Sequence, residues 1–166
     1  IILPTGAGKS LVIAELANKA LGRVLILTHV KELVEQNQEK LKALGVDAGV
    51  FSAGLGEKNS QNQITVASIQ SSFANLEHFQ HAYSLVIIDE AHRISQQQQS
   101  QYQQLLNHLQ HYQPHLKILG LTATAYRLQT GWIYRYHYRG FIRESVQPFF
   151  QTCIFELSLA SLVRQQ

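Results

Sequence analysis

Apolar runs alternate with amphipathic stretches along most of the 166-residue chain. Ser10 to Leu21 has apolar residues at helical spacing and predicts a helix that stops at Gly22 as its C-cap. Arg23 to Thr28 (RVLILT) is a short β-rich run. Val30 to Leu44 sets Leu33, Val34, Leu41 and Leu44 on one side of a helix that Gly45 ends. Ala48 to Ser52 reads as a weak strand, and Ile64 to Ser68 (ITVAS) as another with a short helix behind it. Ser84 to Asp89 (SLVIID) is continuously apolar up to its last residue, as suits a strand buried on both faces of a parallel sheet. Tyr102, Leu105, Leu106 and Leu109 predict a helix ahead of Pro114, and Leu116 to Leu121 the next strand. The glutamine-heavy stretch Ser95 to Gln104 is read as the solvated face of that helix rather than as a disordered tract, because glutamine is a good helix former. This alternation predicts an α/β fold, an open and mostly parallel sheet with helices on both faces.

Length and composition narrow the class. A chain of this length is one domain by the usual prior, and 45% hydrophobic residues supply a core. No apolar run approaches the ~20 residues that cross a bilayer, and nothing at the front reads as a secretion leader. The single Cys153 excludes an internal disulfide framework and a cysteine-based zinc site, so a reducing, cytoplasmic setting is expected. His108 and His111 are three apart on the expected helix, but Pro114 breaks the pattern before His115 and argues against a metal site there. The chain opens without Met, inside the apolar run Ile1-Ile2-Leu3, and is expected to be an N-terminally truncated piece of a longer protein. Net charge is only +3, yet Ala91 to Arg143 contains no Asp or Glu and holds Arg93, Lys117, Arg127, Arg135, Arg139 and Arg143. The stretch is either a basic face for a polyanion or a chance lull in acids.

The candidate chemistry begins at Leu3-Pro4-Thr5-Gly6-Ala7-Gly8-Lys9-Ser10. Small residues let backbone N–H groups close around phosphate oxygens, and a helix starting there adds its N-terminal dipole. Thr5, Gly6, Ala7, Gly8, Lys9 and Ser10 would form this phosphate loop, with Lys9 at the β and γ phosphates and the Ser10 hydroxyl on Mg²⁺. The strict pattern wants glycine where Leu3 stands. Eighty residues on, the buried strand ends in Asp89-Glu90-Ala91-His92. It delivers two carboxylates to the strand's C-terminal edge, where open α/β sheets bind ligands. Asp89 would hold the Mg²⁺ shell, and Glu90 would orient and deprotonate an attacking water.

Together these residues resemble the superfamily 2 helicases and translocases of the DEAH kind. The resemblance runs from residue 1 to about residue 130. PTGAGKS is similar to motif I, Thr28 to Leu33 to motif Ia, Ile64 to Ser71 to the next strand-and-turn motif, DEAH to motif II, and Leu121 to Ala125 to motif III. Ala125 stands where the family usually has proline. In finer wording LVIIDEAHR, LTATAYRL and GWIYRYHYRG resemble the bacterial RadD (YejH-like) repair helicases. The resemblance implies a three-layer RecA-like P-loop NTPase domain with a mostly parallel central sheet, using ATP and Mg²⁺, with DNA as partner and a role in DNA repair. It implies a helicase ATP-binding domain over 1–150 and, over 151–166, a crossover toward a second RecA-like domain that carries an arginine finger. Without that domain the chain is expected to hydrolyse ATP poorly.

It also implies nucleic-acid contacts at Thr28, His29, Lys31, Ser68 and Gln70, and coupling between the ATP and nucleic-acid sides through His92, Thr122 and Thr124. Each has a plainer alternative: Thr28 and Ser68 as helix caps, His92 as a satisfied structural histidine, the threonines as ordinary strand-end residues. Trp132, Tyr134, Tyr136 and Tyr138 alternate with Arg135, His137 and Arg139, which puts rings on one face and mostly basic groups on the other. Arg135 and Arg139 are candidate phosphate contacts; the rings either stack on bases or tuck against the sheet. Rival functions are the motor of a restriction-enzyme subunit, an ATP-gated nucleic-acid clamp without strand separation, and a P-loop ATPase unrelated to nucleic acid.

Overall fold

The computed structural model describes residues 1–128, 130–146 and 148–158. Residues 159–166, half of the segment expected to cross toward a second domain, lie outside the described residues. In chain order the elements are α1 (Lys9–Lys19), β1 (Arg23–Thr28), α2 (Lys31–Ala43), β2 (Gly49–Ser52), β3 (Glu57–Lys58), β4 (Ile64–Ser68), α3 (Ile69–Ala74), β5 (Tyr83–Ile88), α4 (Gln96–Tyr112) and β6 (Lys117–Gly120). A smaller β region follows, with β7 (Tyr126–Arg127), β8 (Gly131–Trp132), β9 (Tyr134–His137) and β10 (Phe150–Cys153).

The main sheet has the order β3-β2-β4-β1-β5-β6. Every pairing in it is parallel except that of β2 with the short β3. Alternate residues of β1 and β5 feed two separate cores. Leu25, Leu27, Val86 and Ile88 pack with Tyr102, Leu105, Leu106 and Leu109 of α4 and with Ile69 of α3. Val24, Ile26 and Ile87 pack with Ile13, Ala14 and Ala17 of α1 and with Val34 and Leu41 of α2. Burial on both faces explains why these strands are continuously apolar, and the result is the three-layer RecA-like arrangement.

The opening residues join the same sheet. The Ile2 N–H donates to the Phe155 carbonyl (2.8 Å), Leu3 N–H to Thr122 (2.8 Å), and Leu157 N–H to Ile2 (3.0 Å). The strand leading into the phosphate loop therefore lies between the residues just after β6 and residues 155–157. A division after residue 150 cuts through β10, and residues up to Leu157 pair with the body of the domain.

Two element ends differ in their reasons. Gly45 (φ 75°) closes α2 as expected, with Gly45 N–H on Lys42 (3.0 Å) and Val46 N–H on Leu41 (2.9 Å), the Schellman pattern. Gly22 is not a cap: α1 ends earlier, at an extended Ala20. A Cβ at Gly22 would sit 2.9 Å from Ser84 Oγ, so glycine is needed there for close approach to β5. Ser95 caps α4 by accepting from Gln98 N–H (3.2 Å), which anchors the glutamine-rich start of that helix. Among the described residues no helix is long and apolar enough to cross a membrane.

Candidate active site

The phosphate loop is held open by two glycines in the left-handed region, Gly6 (φ 83°) and Gly8 (φ 80°). No atom comes within 4 Å of where a Cβ would stand on either. The Ala7 N–H donates back to Pro4 (3.0 Å), which tightens the turn. Gly8 is the N-cap of α1 and gives no side-chain cap, so no side chain competes for the N–H groups of that helix's first turn. Thr5 and Gly6 are exposed, Ala7, Lys9 and Ser10 half-buried. An open turn of glycines, a helix N-terminus, an ammonium and a hydroxyl fit a nucleotide triphosphate with Mg²⁺.

Motif II meets this loop directly. The Asp89 N–H donates to Leu27 (2.9 Å), which fixes the end of β5 against β1. Asp89 is buried, and its Oδ2 accepts from the Asn37 side-chain amide of α2 (2.9 Å) while Oδ1 accepts from Glu90 N–H (2.9 Å). Glu90 is the one non-glycine among the described residues with positive φ (49°). Non-glycine residues avoid that conformation because Cβ crowds the following carbonyl. Here the chain turns sharply off the strand, and the Glu90 carboxylate forms an ion pair with Lys9 Nζ.

Behind Glu90, His92 Nδ1 lies 2.8 Å from Thr122 Oγ1 and 3.3 Å from Glu90 Oε2. The Thr122 hydroxyl donates to the Thr124 carbonyl (2.7 Å) and accepts from Thr124 N–H (3.1 Å). Its proton being engaged, Thr122 accepts from His92, which assigns the proton to Nδ1. Burial pulls the His92 pKa below its ordinary value; Glu90 opposes this, while Arg93, Lys9 and Arg127 add to it. Lys9, Asp89, Glu90, His92 and Thr122 thus form one contact chain, with Thr124 joined through its backbone.

The expected nucleic-acid residues divide into two groups. His29, Lys31 and Gln70 reach the surface. The Gln70 amide donates to the His29 carbonyl (2.8 Å), joining the loop after β1 to the start of α3. Arg93 lies 3.2 Å from His29 Nε2 and must donate to it, so His29 carries its proton on Nδ1. That Nδ1 is buried without a partner among the described residues. Burial, then Arg93 and His92, lower the His29 pKa. Thr28 and Ser68 instead turn inward. The buried Thr28 hydroxyl donates to Val30 (3.1 Å), and Val30, not Thr28, is the cap position of α2. Ser68 is 5% exposed and accepts from Ser71 N–H (3.3 Å) as the cap of α3. Their side chains set the shape of the loops rather than offering hydroxyls to a ligand.

The alternation expected around β9 also changes. Its burial runs in, out, out, in: Tyr134 and His137 are buried, Arg135 and Tyr136 exposed. Arg139 is exposed and lies beyond the strand's end. Arg135 and Arg139 are therefore on the surface but remote in the chain from the loops around His29. Arg127 is half-buried, with Nε and Nη2 lacking partners among the described residues, and burial lowers its pKa.

Sequence reasoning missed Asn37. The signal was present: a polar residue three after Val34 and four before Leu41, on the apolar stripe of α2.

A parallel sheet between helix layers, with a glycine loop, a helix N-terminus and paired carboxylates at its C-terminal edge, defines a P-loop NTPase-type domain. Comparison with known proteins gives the particular family. Residues 1–127 match the family described as type III restriction enzyme, res subunit, and the chain belongs to it. The DNA 3'-5' translocase XPB2 of Sulfurisphaera tokodaii is 32% identical over 128 residues, 76% of this chain and 27% of that protein. The chain therefore spans about a quarter of the length of that curated relative. Among solved structures, the Hef helicase domain of Pyrococcus furiosus shares the fold with a TM-score of 0.62 at 24% identity, over 77% of this chain and 30% of that one. The UvsW helicase of bacteriophage T4 gives 0.58 at 21%, over 75% and 46%. The type ISP restriction-modification enzyme LlaGI, solved with a DNA substrate mimic, gives 0.61 at 15%, over 99% and 18%. The match to the res-subunit family places this domain among superfamily 2 helicase-type ATP-binding domains.

Proposed function

We propose that this domain binds ATP·Mg²⁺ and drives a DNA-dependent helicase or translocase of the DEAH type, similar to the RadD repair helicases. The observation that carries the reading is the meeting of Lys9, Asp89 and Glu90 at one sheet edge beside the open glycine loop. In this reading Lys9 and the first-turn N–H groups of α1 bind the β and γ phosphates. Ser10 and Asp89 hold the metal, which supplies charge neutralisation at the phosphates. Glu90 orients the attacking water and takes its proton. His92 and Thr122 connect Glu90 to the motif III loop, and so to the side where His29, Lys31 and Gln70 face nucleic acid. A second RecA-like domain would supply the arginine finger, worth ~10³–10⁵ in rate in other P-loop systems.

The test is nucleotide binding by this chain. A fluorescent ATP analogue with Mg²⁺ should bind the unaltered chain and lose most of its affinity in Lys9→Ala. Hydrolysis should stay slow even with single-stranded DNA present. Equal binding by Lys9→Ala would remove the phosphate-loop reading. Turnover at ordinary enzyme rates, ~1–10³ s⁻¹, would remove the dependence on a second domain.

A further inference from the structure

The stretch after β8 carries chemistry that the nucleotide site does not use. After β9 the chain turns at Gly140 (φ 89°) and folds back. His137 N–H donates to Phe141 (2.9 Å), Arg143 N–H donates to Arg135 (2.8 Å), and Tyr136 bridges antiparallel to Ile142. The hairpin is anchored beneath. The His137 side chain is fully buried and accepts Arg139 N–H at Nδ1 (3.2 Å), so its Nε2 carries the proton and donates to Glu156 (2.8 Å). Phe141 stacks on the imidazole at 4.2 Å and 11°.

Outward, the hairpin shows rings and cations together. Tyr136 is 41% exposed and Tyr138 46%. The Arg135 guanidinium lies 5.5 Å over Tyr136, and that of Arg139 5.5 Å over Tyr138. Arg143 lies 4.5 Å over Phe141 and 3.8 Å over Trp132. Among the described residues none of these arginines is ion-paired to a carboxylate. An acidic protein surface would neutralise the cations but leave the rings without flat partners. Single-stranded nucleic acid supplies a phosphate for each exposed guanidinium and a base for the exposed Tyr136 ring.

We propose that the hairpin spanning 134–143 is a binding site for single-stranded nucleic acid, with phosphates on Arg135 and Arg139 and a base on Tyr136, since Tyr138 already stacks on His137 at 4.5 Å and 29°. The inference rests on the nucleic-acid reading above and adds to it a surface remote in the chain from the loops around His29.

The test is fluorescence anisotropy of this chain with a labelled oligothymidylate of about 20 nucleotides, across a salt series. Arg135→Gln with Arg139→Gln should lower the slope of log K against log salt by about 1.4, at roughly 0.7 for each lost phosphate contact. Tyr136→Ala should weaken oligothymidylate binding about fivefold or more and leave binding of an abasic strand of equal length unchanged. All three positions are exposed, so circular dichroism and ATP-analogue binding should not move. If the unaltered chain binds oligothymidylate and the double variant keeps its slope, the hairpin site is refuted while the wider reading stands on other residues. Equal weakening of the abasic strand by Tyr136→Ala refutes stacking. Displacement of oligothymidylate by polyglutamate at matched charge refutes the proposal in favour of an acidic protein partner. No binding at low salt, with ATP-analogue binding intact, overturns both readings.

Discussion

Asn37 is the least obvious member of the candidate active site, and its removal gives a sharp test. It is 4% exposed on the apolar stripe of α2 and donates to Asp89 Oδ2 at 2.9 Å. Leucine has the same heavy-atom branching but no donor, so Asn37→Leu keeps the outline of the side chain and deletes one hydrogen bond. Asp89 Oδ1 keeps its bond from Glu90 N–H, which leaves the carboxylate held at one corner. A hydrogen bond to a charged acceptor nets about 1.5–3 kcal/mol. If all of it serves to orient Asp89, Mg²⁺-dependent nucleotide affinity falls roughly 10- to 150-fold. Partners of metal ligands in other proteins are worth about 10–100-fold, in the same range. Binding without Mg²⁺ should change far less, since Lys9 and the glycine loop are untouched. Titrating a fluorescent ATP analogue with and without Mg²⁺ separates the two. An unchanged Mg²⁺ dependence in Asn37→Leu would show that the amide only fills space, and the argument from the Asp89 contact would fail.

Other outcomes follow from the same geometry. Glu90→Gln in the intact protein should retain nucleotide binding and lose hydrolysis by about 10²–10⁴-fold, measured as phosphate release; unchanged turnover would take the water-orienting role from Glu90. His29 and His92 both have pKa values lowered by burial. Between those lowered values and the unfolded value near 6.5 the unfolded chain binds more protons, so stability should rise with pH through that window and level off above about pH 7. Thermal midpoints across the range check this, and a midpoint that falls as pH rises would refute it. Gly120→Ala would place a Cβ 2.4 Å from the Phe150 ring tip, so it should cost about 1–3 kcal/mol by overpacking, read by denaturant titration.

The phosphate loop and the DEAH turn were legible in the sequence because their chemistry is local. Gly6 and Gly8 answer a backbone requirement at their own positions, and Asp89 and Glu90 follow the strand that delivers them. The end of α2 was legible for the same reason, since Gly45 takes the left-handed turn that the helix needs. What escaped reading depends on partners distant in the chain. Gly22 is small because of Ser84, across the sheet. Thr28 and Ser68 fit a binding motif by spacing, but their hydroxyls are taken by Val30 and by the cap of α3. The alternation of rings and cations near Tyr134 breaks where Arg135 and Tyr136 both face out and His137 turns in to Glu156. Asn37 stood out of pattern on α2, but its reason, Asp89, lies just past the end of β5.

The position of Ile2 bears on how the domain is made. Its flanking neighbours, at Thr122 and Glu156, lie more than 100 residues further along the chain and emerge from the ribosome well after it. At ~5–20 residues per second, this strand waits about 6 to 30 seconds for the segments on either side of it. Until then the strand at Ile2 has two open edges, the kind of exposed strand that invites pairing with another chain. Closing so long a loop is also slow, because its entropy is lost before any contact compensates. The strand that leads into the phosphate loop therefore gains its neighbours late, and ATP can capture the domain once they are in place but cannot template its early stages.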